Sequence, residues 1–524
     1  MWRKSLTISL LDMSINSSAF ANNVRTLLFQ LSRQQVFLFD KRDVAMKKHP
    51  YGIIVLVFVF LLLPSNTYGK AKRSDIVKSI DKQAKTYEKM AKQIWTWAEA
   101  GYQEYKSSEL LQKTLEKEGF SIEAGVAEIP TAFVANYGSG KPVIGILAEY
   151  DALPGLSQEV IAERKPRVVG AAGHGCGHHL FGTASTAAAI AVKDWMKSSG
   201  AKGTLRLYGT PAEEGGSGKV YMVRAGLFDD VDVVLHWHAS DKNDASPSTS
   251  LANRSAKFRF TGYSSHAAAS PHRGRSALDG IEAMNHMVNL MREHVPQETR
   301  IHYVITHGGG APNVVPDFAE AFYYVRHPEV EVLEDLWDRV VRTAEGAATG
   351  TGTTMDFEII HGNRPVLRND VLQKVVYNNL QEIGGVKYNR EERKFAESIQ
   401  GTFRKVDAPI ESAEEIRPWK FRPPGGSTDV GDVSWMVPTA GLNAATWVPG
   451  TSAHTWQAVA AGGMSIGFKG LMVAAKTLAL STVDIFESPG TIKQAKAELI
   501  DRRGPDFNYY ALLGERKPPL DYRN

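Results

Sequence analysis

The sequence predicts an α/β fold in which a smaller α+β module is inserted into a larger domain. Between residues 71 and 253, apolar strand patterns alternate with helical patterns, as in a mostly parallel or mixed sheet covered by helices. From 254 to 365 the order is strand, helix, strand, strand, helix, strand, which is that of a ferredoxin-like module. The larger domain resumes over 366–495, and 496–524 is assigned to a C-terminal tail.

The larger domain is predicted from apolar runs and from helical periodicity. A helical pattern begins near residue 74, and a second, alanine-rich helix covers Phe181–Met196. The predicted strands are Pro142–Tyr150, Thr204–Tyr208 and Val231–His236. Because parallel strands end at the same edge of a sheet, we expect the polar residues that follow these strands to lie close together.

The elements of the inserted module, and of the larger domain after it, are predicted from the same apolar and helical patterns. The predicted strands of the module are Lys257–Thr261, Ile301–Thr306, Ala319–Arg326 and Thr354–Ile360, and its helices are Ala277–Val295 and Val330–Glu345. Further helices are predicted over Val371–Ile383 and Met464–Leu480.

Composition excludes some classes of function. The chain has 524 residues, with 61 Lys and Arg against 57 Asp and Glu, and 43% hydrophobic residues. This near balance, without a basic stripe, argues against a nucleic-acid-binding protein. One cysteine cannot form an internal disulfide.

The N-terminal region predicts export. Residues 46–70 have the layout of a secretory signal peptide, with Lys47 and Lys48 before an apolar stretch, Ile53–Leu63, and a polar exit. Residues 1–45 form an unrelated leader, and translation starts at Met1 or Met46. The apolar stretch is too short to span a bilayer as a mature helix. We therefore predict a periplasmic protein that is not held in a membrane after cleavage.

The single cysteine lies in the densest histidine cluster, Gly173-His174-Gly-Cys176-Gly-His178-His179. A thiolate and an imidazole separated by one glycine can bind one or two metal ions from a tight loop, and zinc accepts both ligand types. An ordinary buried thiol is the alternative. The histidines and glycines around Cys176 favour a metal site.

Three further positions along the sequence carry side chains that can bind a metal ion. Of the adjacent carboxylates Glu213 and Glu214, one can bind metal while the other acts as a general base. Residues 236 and 238, both histidines, share one face of a strand, so periodicity does not choose between them. An isolated histidine, His454, stands near the C-terminus. Asp151, directly after a strand, is expected to orient a metal-bound histidine from behind.

The inserted module has its own polar set, which is suited to binding an oxyanion and a carboxylate. It comprises His266, His272, Arg273, Arg275, Asn313 and Arg326. Asp429 and Asp432, by contrast, are predicted to be carboxylates that structure a loop.

Seven motifs in order resemble the metal-dependent amidohydrolases that include aminoacylases, bacterial carboxypeptidases and indole-acetyl-amino-acid hydrolases. They are GILAEYDALPG, GHGCGHHLFGTA, TPAEEGGSGK, HAAASPHRGRSALD, PNVVPD, STDVGDVSW and HTWQ, and the similarity runs from about residue 75 to about 490. The resemblance implies a di-metal peptidase-like catalytic domain with an inserted lid that also mediates dimerisation.

The resemblance also assigns roles. It implies that Glu213 is the general base, that the lid residue His266 stabilises the oxyanion, often in a partner's active site, and that Asn313 and Arg326 hold the substrate. The implied ligands of two divalent ions, Zn²⁺ or Mn²⁺, are Cys176, His178, Glu214, His238 and His454. The spacing from Asp232 selects His238 over His236.

The expected reaction is hydrolysis of N-acyl or N-aroyl amino acids, such as p-aminobenzoyl-glutamate, in a homodimer or in a heterodimer with a related subunit. Three alternatives remain open. The chain could be a dipeptidase or another peptidase of the same family, a non-catalytic binding subunit, or a hydrolase with Cys176 as nucleophile and His178 as its base.

Overall fold

A computed structural model describes residues 73–523. The predicted leader and signal peptide lie outside the described residues. The described part of the chain contains two β-sheets.

The larger sheet is mixed and has six strands. They are β1 (Ser121–Ala124), β2 (Phe133–Ser139), β3 (Val143–Ala148), β4 (Gly203–Gly209), β5 (Val233–Ser240) and β10 (Thr439–Ala445). Their order in the sheet is β1-β2-β4-β3-β5-β10. Strands β4, β3, β5 and β10 are mutually parallel, while β1 and β2 run antiparallel at one edge. The carboxyl ends of the four parallel strands therefore meet at one edge of the sheet.

Helices cover this sheet and fill the core. They are α1 (Arg73–Lys82), α2 (Ala84–Trp97), α3 (Tyr105–Lys117), α4 (His178–Ser199), α5 (Gly218–Arg224), α8 (Asp370–Ile383), α9 (Arg390–Gln400), α10 (Val430–Met436), α11 (Trp456–Gly462), α12 (Ser465–Glu487) and α13 (Pro489–Arg503). The apolar α4 and α12 pack against each other and are almost entirely buried. Within residues 73–523, α12 alone is long and apolar enough to cross a membrane, but 83% of its most apolar window is buried inside the protein, as in a core helix.

The inserted domain, residues 252–363, is built on a four-stranded antiparallel sheet. Its elements are β6 (Ala252–Thr261), α6 (Ala277–Met291), β7 (Arg300–His307), β8 (Phe318–His327), α7 (Val330–Thr351) and β9 (Thr354–Asn363). The strand order is β7-β8-β6-β9, and both this order and the order of elements are those of a ferredoxin-like module. The apolar face of the sheet packs on α6 and α7 in a core of its own.

Two segments extend beyond their predicted ends. Strand β5 continues to Ser240, because its parallel pairing with β10 runs on through Ala445 and buries Trp237 completely. Helix α13 crosses residue 495, the predicted end of the larger domain. The closing segment, residues 504–523, is not an isolated tail: Leu512 is fully buried in the core of the inserted domain.

Candidate active site

The predicted site residues of the larger domain follow its parallel strands. Asp151 comes after β3, Glu213 and Glu214 follow β4, and His238 lies near the end of β5. The loop after β10 returns to the same edge, where the amide of His454 donates to the carbonyl of Gly175 at 2.9 Å. Sheet topology thus gathers side chains that are distant in sequence.

A tight turn presents Cys176 and His178. Between them, Gly177 has φ +79°, and a Cβ there would overlap that of Ala239. Only glycine meets both demands without strain. Helix α4 begins at His178, so the turn aims the thiol and the imidazole into the same space.

Three overlapping groups of side chains have ligand atoms within 4.8 Å of one another. They are Cys176 with His178 and His238; Cys176 with Glu214 and His454; and Glu149 with His178 and Glu213. Cys176 Sγ lies 3.4 Å from His238 Nε2, and His454 Nε2 lies 3.2 Å from Glu214 Oε1. Two of the groups share Cys176, as expected of neighbouring metal positions.

Asp151 joins two of the loops. Its Oδ1 accepts a hydrogen bond from His178 Nδ1 at 2.8 Å, and its Oδ2 accepts one from the backbone amide of Glu214 at 2.9 Å. Although burial opposes charge on the Asp151 carboxyl, His178 and the Glu214 amide lower its pKa to about 2. An ionised carboxylate therefore fixes both the ring of His178 and the backbone of Glu214.

The rings of His178 and His238 are oriented by hydrogen bonds from Nδ1, and their Nε2 atoms face the cluster. His178 donates from Nδ1 to Asp151, and His238 donates from Nδ1 to the carbonyl of Ala239 at 2.8 Å, which leaves the Nε2 atom of each ring as the nitrogen that can coordinate a metal ion. Burial and the nearby His178 lower the pKa of His238 to about 4, which keeps it neutral. Metal ligation requires this form of the ring.

Orphaned polar atoms also fit a cation. Among the described residues, His178 Nε2 and Glu149 Oε2 are buried without a hydrogen-bond partner and lie 3.1 Å apart. A lone pair facing a carboxylate oxygen is unfavourable unless a positive charge lies between them. Burial lowers the pKa of His178, but Asp151, Cys176 and Glu149 raise it well above its usual value, so this position holds either a ring proton or a metal ion. The thiol, imidazoles and carboxylates together suit zinc or a similar divalent ion.

Glu213 and Glu214 have different surroundings. Burial raises the pKa of Glu213 well above its usual value, and the negative charges of Glu149 and Glu214 raise it further. For Glu214, burial acts in the same direction, but the hydrogen bond and charge of His454 lower its pKa. Glu213 thus has the greater affinity for a proton, as a general base needs.

A buried ion-pair network lies beneath the cluster. Lys219 Nζ is 2.7 Å from Glu149 Oε1 and 2.7 Å from Asp429 Oδ1, and all three side chains are almost completely buried. Asp429 therefore belongs to the support of the site, whereas the loop role predicted for it describes Asp432, which accepts bonds from the Arg364 amide and Tyr509. Burial opposes charge on Lys219, but Asp429 and Glu149 raise its pKa.

Backbone strain is concentrated at the same loops. Ala212 and Ser217, which flank the glutamate pair, have φ of 55° and 63°, and His454 has φ of 61°. Side chains other than glycine rarely adopt this left-handed region, and such strain persists where the surroundings enforce it. The loops that carry Glu213, Glu214 and His454 are therefore held in defined conformations.

The cluster lies in a cavity of about 1050 Å³ between the two domains. The inserted domain contributes Asn253, Tyr324, Arg326 and His361 from one face of its sheet. The lining includes six Lys or Arg side chains and four carboxylates, three of which, Glu149, Glu213 and Glu214, belong to the cluster. The fourth, Asp244, is paired with Arg417 and Arg422 at 3.5 and 2.9 Å. Lys242 and Arg368 are paired with Asp241 and Asp370 at 3.2 and 3.7 Å. Within residues 73–523, Arg326 and Arg523 are therefore the lining cations that form no ion pair with a carboxylate.

Other predicted residues lie elsewhere. His266 and Asn313 are exposed on the inserted domain, outside this cavity, and are adjacent because the Ala267 amide donates to the Asn313 carbonyl at 3.0 Å. His272, Arg273 and Arg275 are exposed near them. Within one chain, therefore, only Arg326 of this predicted set reaches the cavity.

The other histidines near the site, at positions 174, 179 and 236, lie outside the three ligand groups. His236 lines the cavity but packs under Gly441, where its ring would meet any added Cβ, and it belongs to none of the three groups. The ring centres of His174 and His179 are 4.8 Å apart with the planes tilted by 47°, and the two rings donate to the carbonyls of Ile94 and Gly462. These three are packed in the structure and do not reach the ligand cluster.

Sequence reasoning missed several residues of the cavity. Glu149 stands at the end of β3, two residues before Asp151, so its place after a strand was a signal that could have found it. Asn253 and Arg523 carried no such signal, because neither motif spacing nor periodicity distinguishes them from ordinary surface residues.

Comparison with known proteins agrees with this geometry. The model of peptidase family M20/M25/M40 matches residues 145–455. The chain is 41% identical over 447 residues to one of the subunits of p-aminobenzoyl-glutamate hydrolase from Escherichia coli K12, covering 80% of this chain and 93% of that one. The chain belongs to peptidase family M20/M25/M40.

Other similar proteins share less sequence with this chain. Xaa-Arg dipeptidase of Mus musculus is 29% identical, covering 80% of this chain and 90% of its own. Among solved structures, a dinuclear metal-binding M20 peptidase of Bacillus subtilis has a TM-score of 0.53 at 19% identity, covering 78% of this chain and 99% of its own. An aminobenzoyl-glutamate utilization protein of Klebsiella pneumoniae also has a TM-score of 0.53, at 16% identity, covering 78% and 97%.

Family membership confirms three sequence predictions. The resemblance to metal-dependent amidohydrolases is correct, the α/β fold is that of M20 peptidases, and the chain is a hydrolase of linear amide or peptide bonds. The described residues also contain groups that can hold a metal ion.

The bridge made by Asp151 gives a direct test. In Asp151→Asn, the amide nitrogen cannot accept both bonds, so the ring of His178 loses its orientation and metal affinity should fall by about 10- to 100-fold. Metal titration by calorimetry measures this. Asp232→Asn, a buried aspartate at the opposite end of β5, is the control and should leave the affinity unchanged; an equal loss in both variants would contradict the assignment.

Proposed function

We propose that this M20 hydrolase cleaves the amide bond of N-acyl or N-aroyl amino acids with an acidic amino-acid part, such as p-aminobenzoyl-glutamate. The observation that carries the proposal is a ligand cluster in a cavity whose charged side chains away from the cluster are, apart from Asp244, all Lys or Arg. The named activity of the Escherichia coli relative, p-aminobenzoyl-glutamate hydrolase, has the same chemistry.

A dipeptidase is the second candidate, since a relative is named Xaa-Arg dipeptidase. A substrate with an arginine side chain would bring a further positive charge into a cavity that has Arg326, Arg523 and the Asp244-paired arginines. Like charges at close range are costly in a desolvated site. The charge of the cavity thus favours the acidic substrate.

The proposed roles begin with metal binding. Cys176, His178, Glu214, His238 and His454 would hold two divalent ions, zinc or manganese, with Asp151 orienting His178. When bound, such ions supply Lewis acidity, which makes a water acidic near neutral pH and polarises an amide carbonyl. The thiolate and imidazoles favour zinc.

Glu213 is the proposed general base. It lies beside the cluster without an ion-pair partner among the described residues, and its raised pKa suits it to take a proton from water and return it to the leaving amine. Glu149, which is in the same group as Glu213, is itself held by the buried ion pair with Lys219. A nucleophilic role for Cys176 is disfavoured, because burial raises the pKa of its thiol well above the usual range.

Substitution of Glu213 separates catalysis from metal binding. Glu213→Gln keeps the size of the side chain but removes the base, so kcat should fall by about 10²- to 10⁴-fold while metal content, measured by mass spectrometry, stays unchanged. Glu214→Gln is the matched variant and should lose metal as well as activity. Full activity of Glu213→Gln would refute its role, and inactivity of the purified wild-type protein towards all amides would favour a non-catalytic binding subunit.

Dimerisation is proposed because His266 and Asn313 are exposed on the inserted domain and not at the cavity of their own chain. The edge strand β7 of the same domain exposes Val304 and Ile305, at 58% and 44%. Exposed apolar edge strands favour pairing with another chain. We infer that a partner, either a second copy or a related subunit, receives His266 at its active site, where the imidazole stabilises the oxyanion and Asn313 helps to hold the substrate.

Mixing two inactive variants tests this arrangement. If His266 acts across a symmetric dimer, each mixed dimer of Glu213→Gln and His266→Ala has one intact site, and random exchange restores about a quarter of wild-type activity. The measurement is the hydrolysis rate after subunit exchange, with each variant alone as control. No recovery despite exchange, or a monomeric wild-type protein by light scattering, would contradict the arrangement.

Export is also proposed, on the signal-peptide layout of residues 46–70. The protein isolated from its natural source should be periplasmic and begin between residues 65 and 72. N-terminal sequencing measures this. A mature chain that retains Met1 or Met46 would contradict export by this signal.

A further inference from the structure

We propose that Arg523, together with Arg326 and Asn253, forms a carboxylate-binding arm in which Arg523 binds the side-chain carboxylate of an acidic substrate. We call these three residues the anion arm. The inference rests on the proposed function and adds to it the determinant that distinguishes glutamate from a neutral amino acid.

The closing segment holds Arg523 in a defined place by contacts to both domains. In the inserted domain, Arg254 Nε donates to the Leu512 carbonyl at 2.8 Å, and Arg516 pairs with Glu358 at 2.8 Å. In the larger domain, Arg224 Nη1 donates to the Gly514 carbonyl at 2.7 Å. These anchors are spread along the segment, so its path to the cavity is fixed by the fold.

The segment ends against the glutamate loop. Tyr522 Oη donates to the Glu214 carbonyl at 3.1 Å, and its ring meets Tyr102 edge to face at 5.6 Å. Arg523 also donates to the Glu214 carbonyl, and its guanidinium lies 4.7 Å from the centre of the Tyr522 ring. The side chain of Arg523 therefore enters the cavity directly beside the ligand cluster.

Several polar atoms of the anion arm lack partners in the described part of the chain. The Nε atoms of Arg326 and Arg523 are buried without a hydrogen bond, and no carboxylate among residues 73–523 forms an ion pair with either guanidinium. Asn253 is 1% exposed, and both atoms of its amide group are unpaired. Buried groups of this type cost free energy unless a ligand satisfies them.

The register of the inserted sheet places two members of the arm together. Asn253 on β6 is directly opposite Arg326 on β8, so their side chains lie on the same, cavity-facing side of the sheet. Arg523 approaches from the larger domain. If Arg326 binds the α-carboxylate next to the scissile amide, a second guanidinium at the cavity matches a second carboxylate, as in glutamate.

A different role for Arg523 would be to position Glu214 through its carbonyl. The two roles give different results, because a misplaced Glu214 affects every substrate equally, whereas a lost carboxylate partner affects only acidic ones. The discriminating pair of substrates is p-aminobenzoyl-glutamate and p-aminobenzoyl-glutamine, which have nearly the same shape and differ in one charge.

The test compares kcat/KM for this pair in the wild type and in Arg523→Gln. We expect a loss of about 10- to 100-fold for the glutamate substrate, mainly in KM, and a change within about twofold for the glutamine substrate. Arg523→Lys should recover part of the loss. Arg516→Gln loosens the same segment away from the cavity and should change both substrates by the same factor. Equal losses for both substrates in Arg523→Gln, or no loss, would overturn the inference.

A binding measurement separates this inference from the proposed function. Calorimetry should show L-glutamate binding to the metal-loaded wild type about 10-fold or more tightly than L-glutamine, with the preference lost in Arg523→Gln. If the wild type hydrolyses neither aroyl substrate but this preference is present, the proposed substrate fails and the anion arm stands. If hydrolysis occurs without any preference for the acidic ligand, the anion arm fails and the proposed reaction stands.

Discussion

The two hydrogen bonds accepted by Asp151 are the constraint on which the rest of the site depends. One fixes the ring of His178 at the start of α4, and the other fixes the backbone of Glu214 in the loop after β4. The carboxylate lies just after β3, which is paired with β4 in the parallel part of the sheet. Its oxygens are buried and ionised, so any shift of either loop would leave a charge without partners. The arrangement of the cluster is therefore coupled to the packing of the central strands.

A second layer of charge supports this bridge from below. Lys219 lies between Glu149 and Asp429 and is completely buried, which joins the start of α5 to the end of β3 and to the start of α10. Removing one member of such a network leaves an uncompensated charge in the core. The loops of the cluster are rich in glycine, but hydrogen bonds and buried ion pairs hold their backbone in place.

Much of the fold and of the cluster followed from the sequence, for physical reasons that differ between elements. Strands such as Val143–Ala148 are apolar on both faces, and helices such as Val330–Thr351 have a clear apolar stripe, so their patterns predict them. The residues of the cluster stand in motifs that directly follow strands. The choice between His236 and His238, by contrast, depends on their depth relative to Cys176, and a period of two residues carries no such information.

The position of the closing segment could not be predicted from sequence patterns. It lies at residues 504–523, without periodicity, yet it buries Leu512 and brings Arg523 to the glutamate loop. Its contacts are side chain to backbone for the most part, as in the bond from Arg254 to Leu512, and such contacts depend on tertiary proximity alone. The role of Asn253 likewise depends on tertiary structure, because it comes from the position of Asn253 opposite Arg326 in the sheet.

The central claim is that separate loops converge to hold two divalent ions. Anomalous diffraction from crystals of the metal-loaded protein, recorded on both sides of the metal absorption edge, tests it most directly. The account predicts two peaks about 3.5–4 Å apart, contacted by Cys176, His178, Glu214, His238 and His454, with Asp151 behind His178. A single peak elsewhere in the chain, or peaks that none of these side chains contacts, would contradict it.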